Sequence, residues 1–146
     1  TMWHANNALS TIKSFSNLLS PDKQVNEMIP ANYFRWIKNL PFFITLEDYI
    51  IVHAGINFNA QSPFNDYESM LWTREEAYDY QLCNGKMIIH GHTPIELKQL
   101  KESLSDKQRK VINIDTGCVY KEYLGMGFLS AINLDNLELI YEKNMD

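Results

Sequence analysis

At 146 residues, 45% of them apolar and 21% charged, the chain is large enough to bury a core without staples, which excludes a disordered tail and a disulfide-framed miniature. Thirteen Lys and Arg against eighteen Asp and Glu give a formal charge of −5 with no basic stripe, so a general nucleic-acid surface is excluded. Cys83 and Cys118 form no CxxC pair, which excludes a thiolate zinc knuckle and predicts two small core thiols in a reducing compartment.

No apolar run approaches the roughly 18 residues of a membrane span, and TMWHANNALS has neither the basic nor the apolar region of a signal peptide. A cytoplasmic protein with no membrane partner is expected. With no internal repeat and no Pro/Gly linker, residues 1–146 read as one domain.

In chain order, Ala8, Ile12, Phe15 and Leu19 recur at helical spacing before Ser20-Pro21-Asp22, predicting a helix over 3–19. Pro30 is expected at the first helical position of a second helix, whose apolar face is Tyr33, Phe34, Trp36, Ile37 and Leu40 and which Pro41 ends. FFIT and YIIVHA, joined by Leu46-Glu47-Asp48, predict a β-hairpin whose second strand is covered on both faces. The loop AGINFNAQSPFN after His53 is a candidate wall of a site. A helix is expected over 66–82, and a short buried strand over KMIIH that stops at Gly91-His92-Thr93-Pro94. Residues 95–109 fit a helix or an exposed loop equally. VINID, GFLSAINL and LELIYEK predict three more strands, with Asp135-Asn136 in the turn of a terminal hairpin. The class is α/β with a layered sheet core.

Three predicted strands run out into polar loops at His53, His92 and Asp115, the place where α/β proteins put chemistry. Neutral imidazole binds Mn, Fe or Zn, and the adjacent glycines allow close backbone approach. Spacing alone fits equally well a strand-end histidine bonded to a carbonyl. His90 stands two residues before His92, but Gly91 and Pro94 make joint chelation by the two unreliable, so His90 is expected to be structural or to support a ligand.

The segments VHAG (52–55), LWTRE (71–75), HGHTP (90–94) and INIDTGCVY (112–120), in this order, resemble the C-terminal half of calcineurin-like metallophosphoesterases. They are most similar to the bacterial phosphoprotein phosphatase branch, which holds serine/threonine phosphatases and symmetrical dinucleoside-tetraphosphate hydrolases. Upstream, WHANNALSTIKSF resembles the stretch after that family's GNHE motif, and PANYFRWIKNLPFF the helix before its central strand. The resemblance implies a layered α-β-β-α sandwich and a dinuclear centre of two divalent metal ions, Mn²⁺ first, Fe or Zn as alternatives.

On these motifs His53 and His92 match the two histidines that bind the second metal, and Arg74 matches the arginine that grips the substrate phosphate, a role suited to its planar fork of donors. Without the motif, Arg74 reads as a solvated helix arginine. Pro94 stands where many metallophosphoesterases have a second histidine, which narrows the branch. Asp115 fits a buried structural carboxylate or a partner of a ligand histidine. Tyr120 and Tyr123 are expected in a loop over the site, with Tyr120 touching substrate.

The family's GDxHG, GDxxDR and GNHE motifs are absent before His53. By resemblance they supply the other metal ligands, a second arginine and the proton donor to the leaving group. With Thr1 as first residue, the expectation is a fragment, inactive alone, of a protein that hydrolyses phosphoesters by direct attack of a metal-bridged hydroxide. Its partners would be a phosphorylated protein or small phosphoester and the missing N-terminal half. A dinucleoside-tetraphosphate hydrolase and a non-catalytic binding module are the alternatives.

Overall fold

A computed structural model describes residues 8–15 and 29–145, in two compact units divided between Pro41 and Phe42. In the first unit α1 spans Ala8–Phe15 and α2 spans Ala31–Lys38. The expected extension of the first helix over 3–7 and 16–19 lies outside the described residues. Pro30 is the residue before the first helical turn, with φ −56° and ψ 136°, and Asn39 ends the helix ahead of Pro41. Phe15 meets Tyr33 edge to face at 4.7 Å. The α2 face read from sequence is present but carries no buried residue, and Trp36, Ile37 and Leu40 are exposed.

The second unit is mixed α/β. Strands β1 (Phe43–Thr45), β2 (Tyr49–Val52), β3 (Met87–His90) and β4 (Val111–Asn113) form one sheet in the order β1-β2-β3-β4. The expected hairpin forms: β1 runs antiparallel to β2 with Phe43 opposite Val52, and the Leu46 N–H donates to the Tyr49 carbonyl at 2.8 Å across the turn. The pairs β2–β3 and β3–β4 are parallel, so each needs a crossover, and each crossover carries a helix. These are α3 (Tyr67–Trp72) and α4 (Leu97–Ser105). Strands β5 (Phe128–Ile132) and β6 (Leu139–Lys143) pair antiparallel as a separate ribbon, and Asp135 and Asn136 lie in its turn as expected.

Successive side chains of a strand point to opposite faces, and here both faces are covered. Ile50, Val52 and Ile88 pack with Ile56, Cys83 and Met70 of α3. Ile89 and Ile112 pack with Leu100 of α4, and Tyr49, Ile51, Ile132 and Leu139 join them. The ribbon therefore shares a side of the sheet with α4, and the Tyr49 hydroxyl donates to the Leu134 carbonyl at 2.7 Å between them.

One helical expectation is corrected. The segment 66–82 is helical only to Trp72, because Thr73 turns to φ −61° and ψ 147° and leaves Arg74 off the helix. The Asp66 side chain starts that helix by accepting from the Ser69 N–H at 3.2 Å and the Ser69 hydroxyl at 2.7 Å, which hold its carboxyl below the ordinary range. In the undecided stretch 95–109 a helix forms. Leu97, Leu100 and Leu104 share one face, and Gln99 Oε1 accepts from the Glu96 N–H at 2.9 Å at its start. Among the described residues no helix is long and apolar enough to cross a membrane.

Met70 is fully buried and its carbonyl accepts from the Ala54 N–H at 2.8 Å. Met70→Ala is expected to lower stability by about 2–5 kcal/mol in urea unfolding, whereas Leu124→Ala, at a position 94% exposed, should stay within about 0.5 kcal/mol of the parent.

Candidate functional site

The parallel register pairs Ile51 with Ile89 and His90 with Asn113, and it persists past the strands. The Gly91 N–H donates to the His53 carbonyl at 2.9 Å and the Ile114 N–H to the His90 carbonyl at 2.8 Å. His53, His92 and Asp115 therefore leave neighbouring strands at the same end of the sheet, the carboxyl end where α/β proteins bind ligands. Gly91 is needed there, since a Cβ on it would stand 3.2 Å from the Asp115 Cβ.

The two sequence-predicted metal ligands meet. His53 Nε2 lies 3.0 Å from His92 Nδ1, with ring centroids 4.8 Å apart. His53 is exposed and His92 half-buried. His92 holds φ at +70°, a left-handed conformation that costs a non-glycine residue roughly 1–2 kcal/mol. That turn swings its ring away from His90 toward His53. His92 Nε2 is buried without a hydrogen-bond partner, so one nitrogen of the ring is spent on His53 and the other on nothing, a deficit that marks functional sites.

Burial first, then the neighbouring His53 and Arg74, push the His92 imidazole below its ordinary value, with Asp115 opposing them. The shift favours the neutral ring, the form that ligates metal. Asp115 has a structural task as well: its Oδ1 accepts from the Gly117 N–H at 2.9 Å, and its own N–H donates to Asn113 Oδ1 at 3.0 Å. Arg74 is exposed on the extended segment after α3. Trp72, to which sequence reasoning gave no role, stands edge-on to His92 at 5.8 Å; its place within LWTRE was the available signal.

A cavity of about 270 Å³ opens beside the pair, lined by His53, His92, Asp115, Thr116, Cys118 and Ser130 among others. Cys83 is the expected core thiol, but Cys118 is only half-buried and faces this cavity, a correction to its reading as core. Its neighbour Gly117 takes φ +61° at a bend where the chain leaves the sheet. Tyr120 is exposed, packs edge to face with Tyr123 at 5.7 Å and is not among the cavity's lining residues. His90 is 5% exposed, its Nδ1 is 3.1 Å from the Gly91 carbonyl, and its Nε2 is directed at Glu76.

The histidine pair fits two ligand positions of a divalent metal. At metal–nitrogen distances of about 2.0–2.1 Å, nitrogens 3.0 Å apart subtend roughly 90–100°, close to the angle between neighbouring ligands of an octahedron. Among the described residues no group of three or more His, Cys, Asp or Glu side chains could hold a metal ion. Compared with protein-family models, curated proteins and solved structures, the chain has no significant match.

The lowered His92 value sets a pH dependence. The unfolded chain takes up this proton first as pH falls through about 6.5, so the folded state loses stability below that pH and keeps it above. His92→Gln should flatten this acid-side loss in urea unfolding measured from pH 7.5 to 5; an unchanged slope would assign the loss to other groups.

Proposed function

We propose that this chain supplies part of the active site of a metal-dependent phosphoester hydrolase, serine/threonine protein phosphatase-like in substrate, and that its mixed sheet and β5–β6 ribbon belong to the two sheets of an α-β-β-α sandwich. The observation that carries the reading is the convergence of two imidazole nitrogens at 3.0 Å with the charge of Arg74 acting on the same ring. Both observations support metal binding and phosphate binding at the carboxyl end of the sheet. The order of the four motifs supports it independently.

In this reading His53 Nε2 and His92 Nδ1 would hold one divalent ion, with Mn²⁺ favoured because mixed imidazole and carboxylate sites accept it and Fe or Zn as substitutes. The metal centre supplies Lewis acidity for attack of water on phosphorus. Arg74 makes no ion pair among the described residues, so its guanidinium is free to bind phosphoryl oxygens and to stabilise their charge as phosphorus is transferred. Trp72 limits the rotation of the His92 ring, and Asp115, fixed by the Gly117 N–H, presents its charge from the adjacent strand end. The remaining ligands come from residues other than those of this pair.

Three measurements test this. Calorimetric titration of the chain with Mn²⁺ or Zn²⁺ should show binding that His53→Ala and His92→Ala each weaken and His90→Ala preserves; equal loss in all three, with folding intact, would remove the pair from the metal. In the protein carrying the complete donor set, Arg74→Ala should lower kcat/KM by about 10²–10³-fold at unchanged metal content, with Arg74→Lys recovering only part. Assay on a phosphopeptide, diadenosine tetraphosphate and an aryl phosphate separates the protein phosphatase from the dinucleotide hydrolase. Unchanged kinetics and unchanged inhibition by inorganic phosphate would take Arg74 out of the site.

A further inference from the structure

The segment after α3 has no sheet partner, yet it carries the arginine on which phosphate binding depends. Thr73 itself is extended, and the Glu75 N–H donates back to its Oγ1 at 3.3 Å. Thr73, Glu75 and Ala77 line one cavity, of about 250 Å³, against Ile56–Asn59. Arg74 and Glu76 take the other side: the Arg74 charge acts on His92, and Glu76 reaches His90, two residues before it. On the first side the segment is braced by close packing, because a Cβ on Gly55 would stand 2.8 Å from Thr73 Cγ2.

Glu76 closes the second side. Its Oε1 lies 3.6 Å from His90 Nε2 and its Oε2 lies 3.4 Å from the Arg109 guanidinium. Arg109 is itself anchored ahead of β4, where its Nε donates to the Val111 carbonyl at 3.1 Å. One carboxylate therefore ties an irregular segment to the last residue of β3 and to the entry of β4. The His90 side chain is almost wholly buried, with Nε2 lacking a hydrogen-bond partner, so Glu76 is the group that faces it. A half-exposed Glu–Arg pair contributes little to global stability. Its geometric effect is local: Glu76 stands two residues from Arg74, so its contacts with His90 and Arg109 restrain the backbone that carries the arginine.

We propose that Glu76 is a positioning residue: held between His90 and Arg109, it fixes the register of residues 73–77 and so aims Arg74 at the histidine pair. This rests on the reading of Arg74 as the phosphate-binding cation. Glu76 does not itself touch phosphate, and as an anion it would oppose phosphate binding if it acted by charge alone. Loss of Glu76 by simple electrostatics should therefore tighten phosphate binding, whereas loss of positioning should weaken it.

The test is calorimetric titration of the full chain, in Mn²⁺, with inorganic phosphate. Arg74→Ala should weaken binding by about tenfold or more, the scale of a charged hydrogen bond. Glu76→Ala should weaken it comparably at unchanged metal stoichiometry and nearly unchanged Tm, Glu76→Gln should recover part through its amide, and Arg74→Ala/Glu76→Ala should bind no worse than Arg74→Ala. Glu75→Ala, on the opposite side of the segment, should bind as the parent does. Parent-like or tighter binding by Glu76→Ala while Arg74→Ala is impaired overturns the positioning role and leaves the phosphate site standing. Equal loss in Glu75→Ala and Glu76→Ala, or additive losses in the double variant, also overturns it. No effect of Arg74→Ala overturns both this inference and the reading beneath it.

Discussion

The parallel pairing of β2 with β3 is the constraint on which the site depends. Tyr49, Ile50 and Ile51 lie opposite Met87, Ile88 and Ile89, and the ladder runs on until the Gly91 N–H meets the His53 carbonyl. That register leaves His92 one residue beyond the position opposite His53. A left-handed turn at His92 is then enough to bring Nδ1 within 3.0 Å of His53 Nε2. A slip of β3 by one residue would exchange the faces of Ile88 and Ile89 and carry His90 out of its buried position, so the packing of the sheet and the histidine pair depend on the same register. The β3–β4 register adds Asp115 to the same end by the same means.

Energetically the site runs against the fold around it. His92 occupies a backbone region that disfavours a side chain, keeps a buried nitrogen without a partner, and resists protonation because burial and two positive neighbours oppose it. Each feature costs stability, and none improves packing. A cation held by His53 Nε2 and His92 Nδ1 would use the neutral ring that the surroundings favour, while the buried His92 Nε2 would still need a partner of its own. Two well-packed faces, with Met70 on one and Leu100 on the other, supply the stability against which such costs are set.

Much of this was legible in the sequence because it depends on local pattern. Short continuous apolar, β-branched runs marked β2 and β3, turn residues marked the hairpins, and glycine next to His92 and two residues after His53 marked strand ends where chemistry collects. The α4 helix was less legible, since Leu97, Leu100 and Leu104 are diluted by charged residues on the faces between them. The stop at Trp72 was hidden for a different reason. LWTREEAYDY carries helix-compatible residues, and the extended turn at Thr73 is imposed by packing against Gly55, a contact between residues distant in the chain. The roles of Trp72, Glu76 and Cys118 were obscured likewise, because each depends on a neighbour that only the parallel crossovers bring close. Tyr120, expected over the site, instead pairs with Tyr123 away from the cavity lining.

The central claim is that His53 and His92 share one metal ion, and pulsed electron paramagnetic resonance of the Mn²⁺-loaded chain tests it most directly. Modulation from imidazole nitrogen counts the histidines on the ion. The account predicts two coupled imidazoles in the parent, one in His53→Ala, one in His92→Ala and two in His90→Ala, with weaker binding in both single-ligand variants. Nitrogen modulation that is absent in the parent, or that survives unchanged in both His53→Ala and His92→Ala, would contradict it and return the pair to a histidine–histidine hydrogen bond.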